Sequence, residues 1–203
     1  MKTTGIILAG GKSSRMGTNK ALLDLNGRRV IEGIVETLRD ITDEMLVVTN
    51  TFAEYEFLQL PLIADNWKGG LGPLAGIEAG LTASKTEYNL IVACDMPFIS
   101  IELGRYLLSC LDESQAVVPQ IEETRHPLFA AYRREVLGEV RKSLEKKELG
   151  IWRFLRNVDL KTVTKDELAS LGLPNEEQYF FNMNNREHYQ KAIQFINDKG
   201  SGD

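Results

Sequence analysis

The sequence predicts an α/β fold, a three-layer α/β/α arrangement around a Rossmann-like, mostly parallel sheet. Three observations predict it. Short, nearly continuous apolar runs recur along the chain, the pattern of strands buried on both faces. Segments of helical periodicity separate those runs, as in right-handed βαβ units. The first run ends in paired glycines and a later one in an aspartate turn. In an open sheet such strand ends border the crevice where ligands bind.

Each element follows in order. Thr4 to Ala9 is a buried strand entering the turn Gly10-Gly11. Val30, Ile31, Ile34, Val35 and Leu38 repeat at helical spacing. Glu44 to Thr49 reads as a second strand, and Leu60 to Ala64 as a short third one closed by Asp65-Asn66. Gly69 to Gly72 is a flexible turn, and Pro73 stands where a helix starts, continued by Leu74 to Ala83. Tyr88 to Cys94 is the central strand, ending at Asp95-Met96-Pro97. Ile101 to Leu111 is an amphipathic helix and Gln115 to Pro119 a strand. The remainder is less regular. It reads as a strand over His126 to Tyr132, a helix over Glu135 to Lys146 and a short helix over Ile151 to Arg156. Gln178 to Phe181 reads as a strand and Arg186 to Asn197 as a closing helix. The expected organisation is one domain over residues 1–198. Residues 1–120 and 121–198 form its two parts, and 199–203 a frayed tail.

Composition narrows the function. The 203 residues are 43% hydrophobic, enough for a sizeable core, and carry a net charge of −5. An acidic chain is a poor general binder of nucleic acid or of anionic membrane. Any phosphate binding is therefore local. No apolar run approaches a membrane span, and the start runs straight into a strand with no room for a signal peptide. A cytoplasmic location is expected. Cys94 and Cys110 have no metal or disulfide spacing and read as buried small hydrophobes.

The chemistry concentrates at the first turn. Gly10-Gly11-Lys12-Ser13 invites a P-loop reading, but Gly5 to Gly11 encloses one residue too many. The dinucleotide fingerprint is absent as well. A strand end followed by two glycines still lets backbone N–H groups approach an anion, and Lys12, Arg15 and Lys20 supply positive charge. By residue chemistry alone the loop is either a phosphate cradle or a solvated glycine turn. Asp95 is either a magnesium ligand on the same sheet edge or a turn and cap residue. Asp65 is either a nucleotide contact or an Asx turn. Asn50 reads the base or ribose, or caps its loop.

Taken together, Leu8-Ala-Gly-Gly-Lys-Ser-Ser-Arg-Met-Gly17 and Lys20 resemble the signature loop of the nucleotidyltransferases that activate sugars and cofactors. Arg-Met-Gly and Lys20-Ala-Leu-Leu23 are most similar to one branch, the molybdenum cofactor guanylyltransferases. The resemblance continues through Asp65, Gly72-Pro-Leu-Ala-Gly76, Cys94-Asp-Met-Pro-Phe98, His126-Pro-Leu128 and Phe181-Asn-Met-Asn184. It covers most of the chain, and it implies a nucleotide-binding part over residues 1–120 and an acceptor-binding part over 121–198.

The resemblance implies transfer of GMP from GTP to molybdopterin, giving the molybdopterin guanine dinucleotide cofactor and pyrophosphate. It implies Arg15, Lys20 and Asp95 as catalytic residues, and Leu8, Ala9, Gly10, Gly11, Lys20, Asp65 and Asp95 as nucleotide contacts. Asp95 would hold Mg²⁺, and His126, Asn182 and Asn184 would line the acceptor side. The acceptor's terminal phosphate is largely ionised near neutral pH, its second pKa being about 6, so no general base is needed. Contact with other proteins of molybdenum cofactor synthesis or delivery follows from the same reading.

The family usually has Asp where this chain has Asn19. Arg153 and Arg156 either meet the acceptor's phosphate or form a solvated helix face. Trp67 and Trp152 read as packing residues. The double glycine favours guanine over the cytidine relatives, which tend to read Leu-Ala-Ala-Gly there. A molybdopterin cytidylyltransferase or another sugar or cofactor nucleotidyltransferase is the first alternative. A nucleotide-binding regulator without catalysis is the second.

Overall fold

A computed structural model describes residues 2–10, 19–65, 67, 70–173 and 176–200. Its eight strands are β1 (Thr3–Leu8), β2 (Glu44–Val48), β3 (Leu62–Ile63), β4 (Tyr88–Ala93), β5 (Ala116–Ile121), β6 (Thr124–Arg125), β7 (Phe129–Arg133) and β8 (Leu160–Thr164). The helices are α1 (Val30–Arg39), α2 (Pro73–Ala83), α3 (Ile101–Ser109), α4 (Leu137–Glu145), α5 (Ile151–Leu155), α6 (Lys165–Ser170), α7 (Glu176–Tyr179) and α8 (Arg186–Gly200).

One sheet holds all the strands in the order β3-β2-β1-β4-β7-β5-β6, with β8 beside β5. The apolar runs are continuous because both sheet faces are covered. On one face Ile7, Val47, Leu90 and Val92 pack with α1, α3, α6 and α8. On the other, Ile6, Leu8, Val48 and Ile91 pack with α2, α4 and α5. Side-chain alternation along each strand thus feeds two separate cores, and the three layers follow.

Helix α2 approaches the sheet closely. A Cβ at Gly80 would stand 2.5 Å from Ile6 Cγ2, so only glycine allows this approach. Pro73 occupies the first helical position as expected, after Gly72 at φ 72° and ψ −164°, a conformation open essentially only to glycine.

The sheet departs from the parallel expectation at β7. It runs antiparallel to both β4 and β5, whereas β1–β2, β1–β4, β2–β3 and β5–β8 are parallel. The reversal carries the start of β7 to the same edge as the ends of β1 and β4, since Leu8 pairs with Ala93 and Val92 with Phe129.

Four readings need correction. Gln178 to Phe181 is not a strand: α7 ends at Tyr179 and the segment that follows is irregular. Its tie to the sheet edge is one backbone bond, Met183 N to Asp95 O at 2.9 Å. The strand expected from His126 begins at Phe129, because His126 to Leu128 turns, with Phe129 N donating to His126 O. The closing helix runs on to Gly200, through the start of the expected tail. The cysteines are half-buried, packed against the α1/α3 core rather than sealed within it.

β8 and α6 escaped the sequence reading. Thr164-Lys-Asp-Glu167 is a capping box, with Thr164 Oγ1 accepting from Glu167 N and Glu167 Oε2 from Thr164 N. Its Ser/Thr-x-x-Glu spacing was the available signal. No helix among the described residues is long and apolar enough to cross a membrane.

Candidate active site

The site is assembled on the sheet edge where β1 and β4 end. Leu8 closes β1, and its carbonyl accepts from Cys94 N at 3.1 Å. Ala9 N donates to Val48 O at 2.9 Å, so the first turn is pinned to both neighbouring strands. Gly10 is exposed and faces open space. Gly11, Lys12 and Arg15 lie outside the described residues.

The chain re-enters at Asn19, which caps a 3-10 turn, Lys20–Leu22, by accepting from Ala21 N. The amide of Asn19 donates to Glu54 Oε2 at 2.5 Å and to Tyr55 Oη at 2.8 Å. Tyr55 is buried, and burial pushes its phenol well above the usual range. Asn19 is therefore matched to its surroundings. An aspartate there could not donate, and it would face the Glu54 carboxylate. Glu54 and Tyr55 lie in a stretch without periodicity, so nothing in the sequence pointed to them.

This turn presents Lys20, whose Nζ donates to Asn184 Oδ1 at 3.3 Å. Asp95 follows β4 directly. Burial raises its carboxyl above the ordinary 3.8, and the Lys20 ammonium draws it back. The Asp95 carboxylate has no side-chain hydrogen-bond or ion-pair partner among the described residues. The thiol of Cys94, beside it, is pushed up to about 12 by burial and by Asp95. Cys94 is therefore a neutral wall residue, not a nucleophile.

Aromatic rings clamp the two loops together. Phe98 meets Phe181 at 6.2 Å and Phe195 of α8 at 5.8 Å, and Phe181 meets Phe195 at 5.4 Å. Lys20, Asp95 and Asn184 thus come together from three distant parts of the chain. Asn182 does not join them. Its amide turns back to Phe180 O at 3.0 Å, and its carbonyl lies 2.9 Å from His188 Nδ1.

The remaining candidates sit to either side. Asp65 ends β3 in an Asx turn, accepting from Trp67 N at 3.1 Å, and is doubly bonded to Asn50. No hydrogen bond or ion pair joins it to Asp95 among the described residues. His126 stacks on Phe180 at 4.2 Å and 20°, and burial lowers its pKa to about 4. It is a neutral flat surface near pH 7. Arg153 pairs with Glu148 at 3.1 Å, on an exposed part of α5. Arg125 and Arg156 line a cavity with Trp152.

A lone carboxylate that burial disfavours, beside a lysine, suits a divalent cation. Mg²⁺ takes one or two carboxylates and completes its shell with water and substrate phosphates. Asp95 is the residue that would hold it.

Comparison with known proteins shows the family. A family model described as a MobA-like NTP transferase domain matches residues 5–163. A protein of Carboxydothermus hydrogenoformans named "Probable molybdenum cofactor guanylyltransferase" is 38% identical over 196 residues, covering 97% of this chain and 98% of its own. One of the same name from Bacillus cytotoxicus is 31% identical over 194 residues, covering 93% and 95%. Among solved structures, molybdopterin-guanine dinucleotide biosynthesis protein A from Archaeoglobus fulgidus superposes with a TM-score of 0.82, at 23% identity over 96% of this chain and 99% of that one. At that identity the structural likeness bears on the fold alone.

Proposed function

We propose, because this chain belongs to the MobA-like NTP transferase family, that it transfers GMP from GTP to molybdopterin and releases pyrophosphate. One observation carries the reading. Lys20, Asp95 and Asn184 converge on the edge bounded by Leu8, Ala9 and Gly10, the segment expected to receive the nucleotide.

Two anions must meet, so the site's task is to offset repulsion. Lys20, held by its capped turn and by Asn184, offsets charge on the triphosphate and on the departing pyrophosphate. Arg15 shares that work. Magnesium, when bound at Asp95, supplies Lewis-acid polarisation of phosphate oxygens. Asp95 also gains by it, since a bound cation removes the cost of keeping its carboxylate ionised in a half-buried place. The acceptor phosphate attacks in its ionised form, with no covalent enzyme intermediate. Neutral His126 contributes a stacking face rather than a proton. Asp65 and Asn50 fix the loop past β3, next to the nucleotide. The reaction places the protein in the cytoplasm with the molybdenum cofactor's other synthesis and delivery proteins as its partners.

The test is pyrophosphate release with magnesium, purified molybdopterin and either GTP or CTP. GTP should be strongly preferred. A preference for CTP makes the chain a cytidylyltransferase. Binding of GTP with no turnover makes it a regulator.

A further inference from the structure

A second feature lies two strands away from Asp95 on the same edge. An open cavity of about 370 Å³ is lined by Gln120, Glu123, Arg125, Trp152 and Arg156. The volume is in the range of small-molecule sites. The Arg125 guanidinium lies over the Trp152 ring, 5.0 Å from its centroid, so a guanidinium backed by the indole forms a flat, cationic wall. Gln120 locks that wall in place. Its Oε1 accepts from Arg125 Nε at 2.7 Å and its Nε2 donates to Glu122 O at 2.9 Å.

The hairpin turn carrying Glu123 is strained, with Glu122 at φ 52°. It carries Glu123 to the mouth of the cavity. Glu123 and Arg156 have no side-chain hydrogen-bond or ion-pair partner among the described residues. One acceptor pair and one donor fork therefore stand open beside a flat wall.

The geometry points to a binding site for a planar 2-amino-4-oxo-pyrimidine ring system, the pterin of the acceptor. The ring would lie on the Arg125 guanidinium, which Trp152 backs, with its N–H and NH₂ edge on the Glu123 carboxylate and its 4-oxo group toward Arg156. The chemistry matches group for group. A carboxylate accepts two parallel N–H bonds, and a guanidinium supplies donors for the oxygen.

Position selects between the two sources of that edge, guanine and pterin. The cavity lies on β5, and Leu8 to Gly10 follow β1, with β4 and β7 between them. Guanine attached at the first turn belongs on the far side of β1. From β4, which delivers Asp95, to β5 is two strand spacings, about 10 Å. That is the reach of a fused ring carrying its phosphate on a methylene arm. This inference rests on the guanylyl transfer reading for the identity of the acceptor, not for the site.

The experiment uses the full chain with Trp67→Phe, so that Trp152 alone emits, and free pterin as the probe. Pterin should quench Trp152 saturably. Glu123→Gln and Arg156→Ala should each weaken that binding about tenfold, and GMP should fail to displace it. With loaded molybdopterin, Glu123→Gln should raise the acceptor KM about tenfold and leave the GTP KM unchanged. Absence of quenching, quenching indifferent to both variants, or displacement by GMP would each overturn the site. Wild-type turnover with GTP is read separately. Turnover without pterin binding removes this site alone, and pterin binding without turnover removes the transferase reading alone.

Discussion

Two tryptophan-centred clusters flank the sheet, and they are built from the same residue types to opposite ends. Under α2 and α4, Glu78 is buried at 7% exposure. It accepts from Arg141 Nε at 2.8 Å, Thr82 Oγ1 at 3.0 Å and Trp67 Nε1 at 3.3 Å. Arg141 also donates to Thr82 at 2.9 Å. That cluster lines the larger cavity, about 460 Å³ against about 370 Å³ at Trp152. Yet both Glu78 oxygens are engaged, and the group acts as a clasp between two helices. Around Trp152, and at Asp95, carboxylates and a guanidinium are left open. Cavity size therefore misleads here. Whether the charges have partners separates structure from function.

The largest effect tests that distinction on two carboxylates. Asp95→Asn should lower turnover by about 10²–10³-fold while keeping or raising stability. The native carboxyl sits above its ordinary 3.8, so ionising it costs the fold and asparagine removes that cost. Steady-state kinetics with a urea melt measures both. A stability loss would place Asp95 with the clasp. Glu78→Ala should do the reverse, costing about 2–3 kcal/mol with kcat unchanged. The figure lies below that of a fully buried pair because the Arg141 side chain is 46% exposed. If turnover falls instead, the clasp belongs to the cleft.

A smaller change sharpens the boundary at Asn19. Asn19→Asp restores the family's usual residue but removes two donated bonds and sets two carboxylates face to face. The expected cost is about 1 kcal/mol at low salt, with recovery in Asn19→Asp/Glu54→Gln. Equal stability of the two variants would count against the repulsion. The smallest effect is the pH response of His126. Its folded pKa, about 4, lies below the ordinary 6.5, so the unfolded chain binds the proton more readily. His126 holds its stabilising contribution above about pH 6.5 and loses it as pH falls toward 4. Denaturant melts across that window should slope more steeply for wild type than for His126→Gln. Parallel slopes would mean that His126 is not sealed against Phe180.

The sequence made the first half of this fold legible and the second half less so, for a physical reason. β1, β2 and β4 are buried on both faces and read as apolar runs. α1 and α3 are amphipathic, and Pro73 marks α2. β8 carries Lys161 and two threonines, because only part of it is buried. The segment after α7 borrows its shape from Asp95 and a cluster of rings, so no local pattern announces it. Lys20 and Asp95 were visible as residues beside glycines and a strand end. The pairing of Arg153 with Glu148 was not, because helical spacing cannot assign it. Trp152, read as packing, does pack against the α2/α4/α5 core and also lines an open cavity with Arg125.

The reversed strand β7 also imposes an order of assembly. A nascent chain that has just completed β5 already contains the four strands β1 to β4, yet β5 bonds to none of them; its partners are β6, β7 and β8. Until Phe129–Arg133 emerges, Tyr88–Ala93 presents an apolar strand with one bare edge, the kind of template that recruits wrong partners. The pairings that close it, from Val92↔Phe129 to Tyr88↔Arg133, join segments far apart in the chain and are slow to form. The strand end that bears Asp95 is therefore exposed to aggregation on the ribosome until β7 has been made.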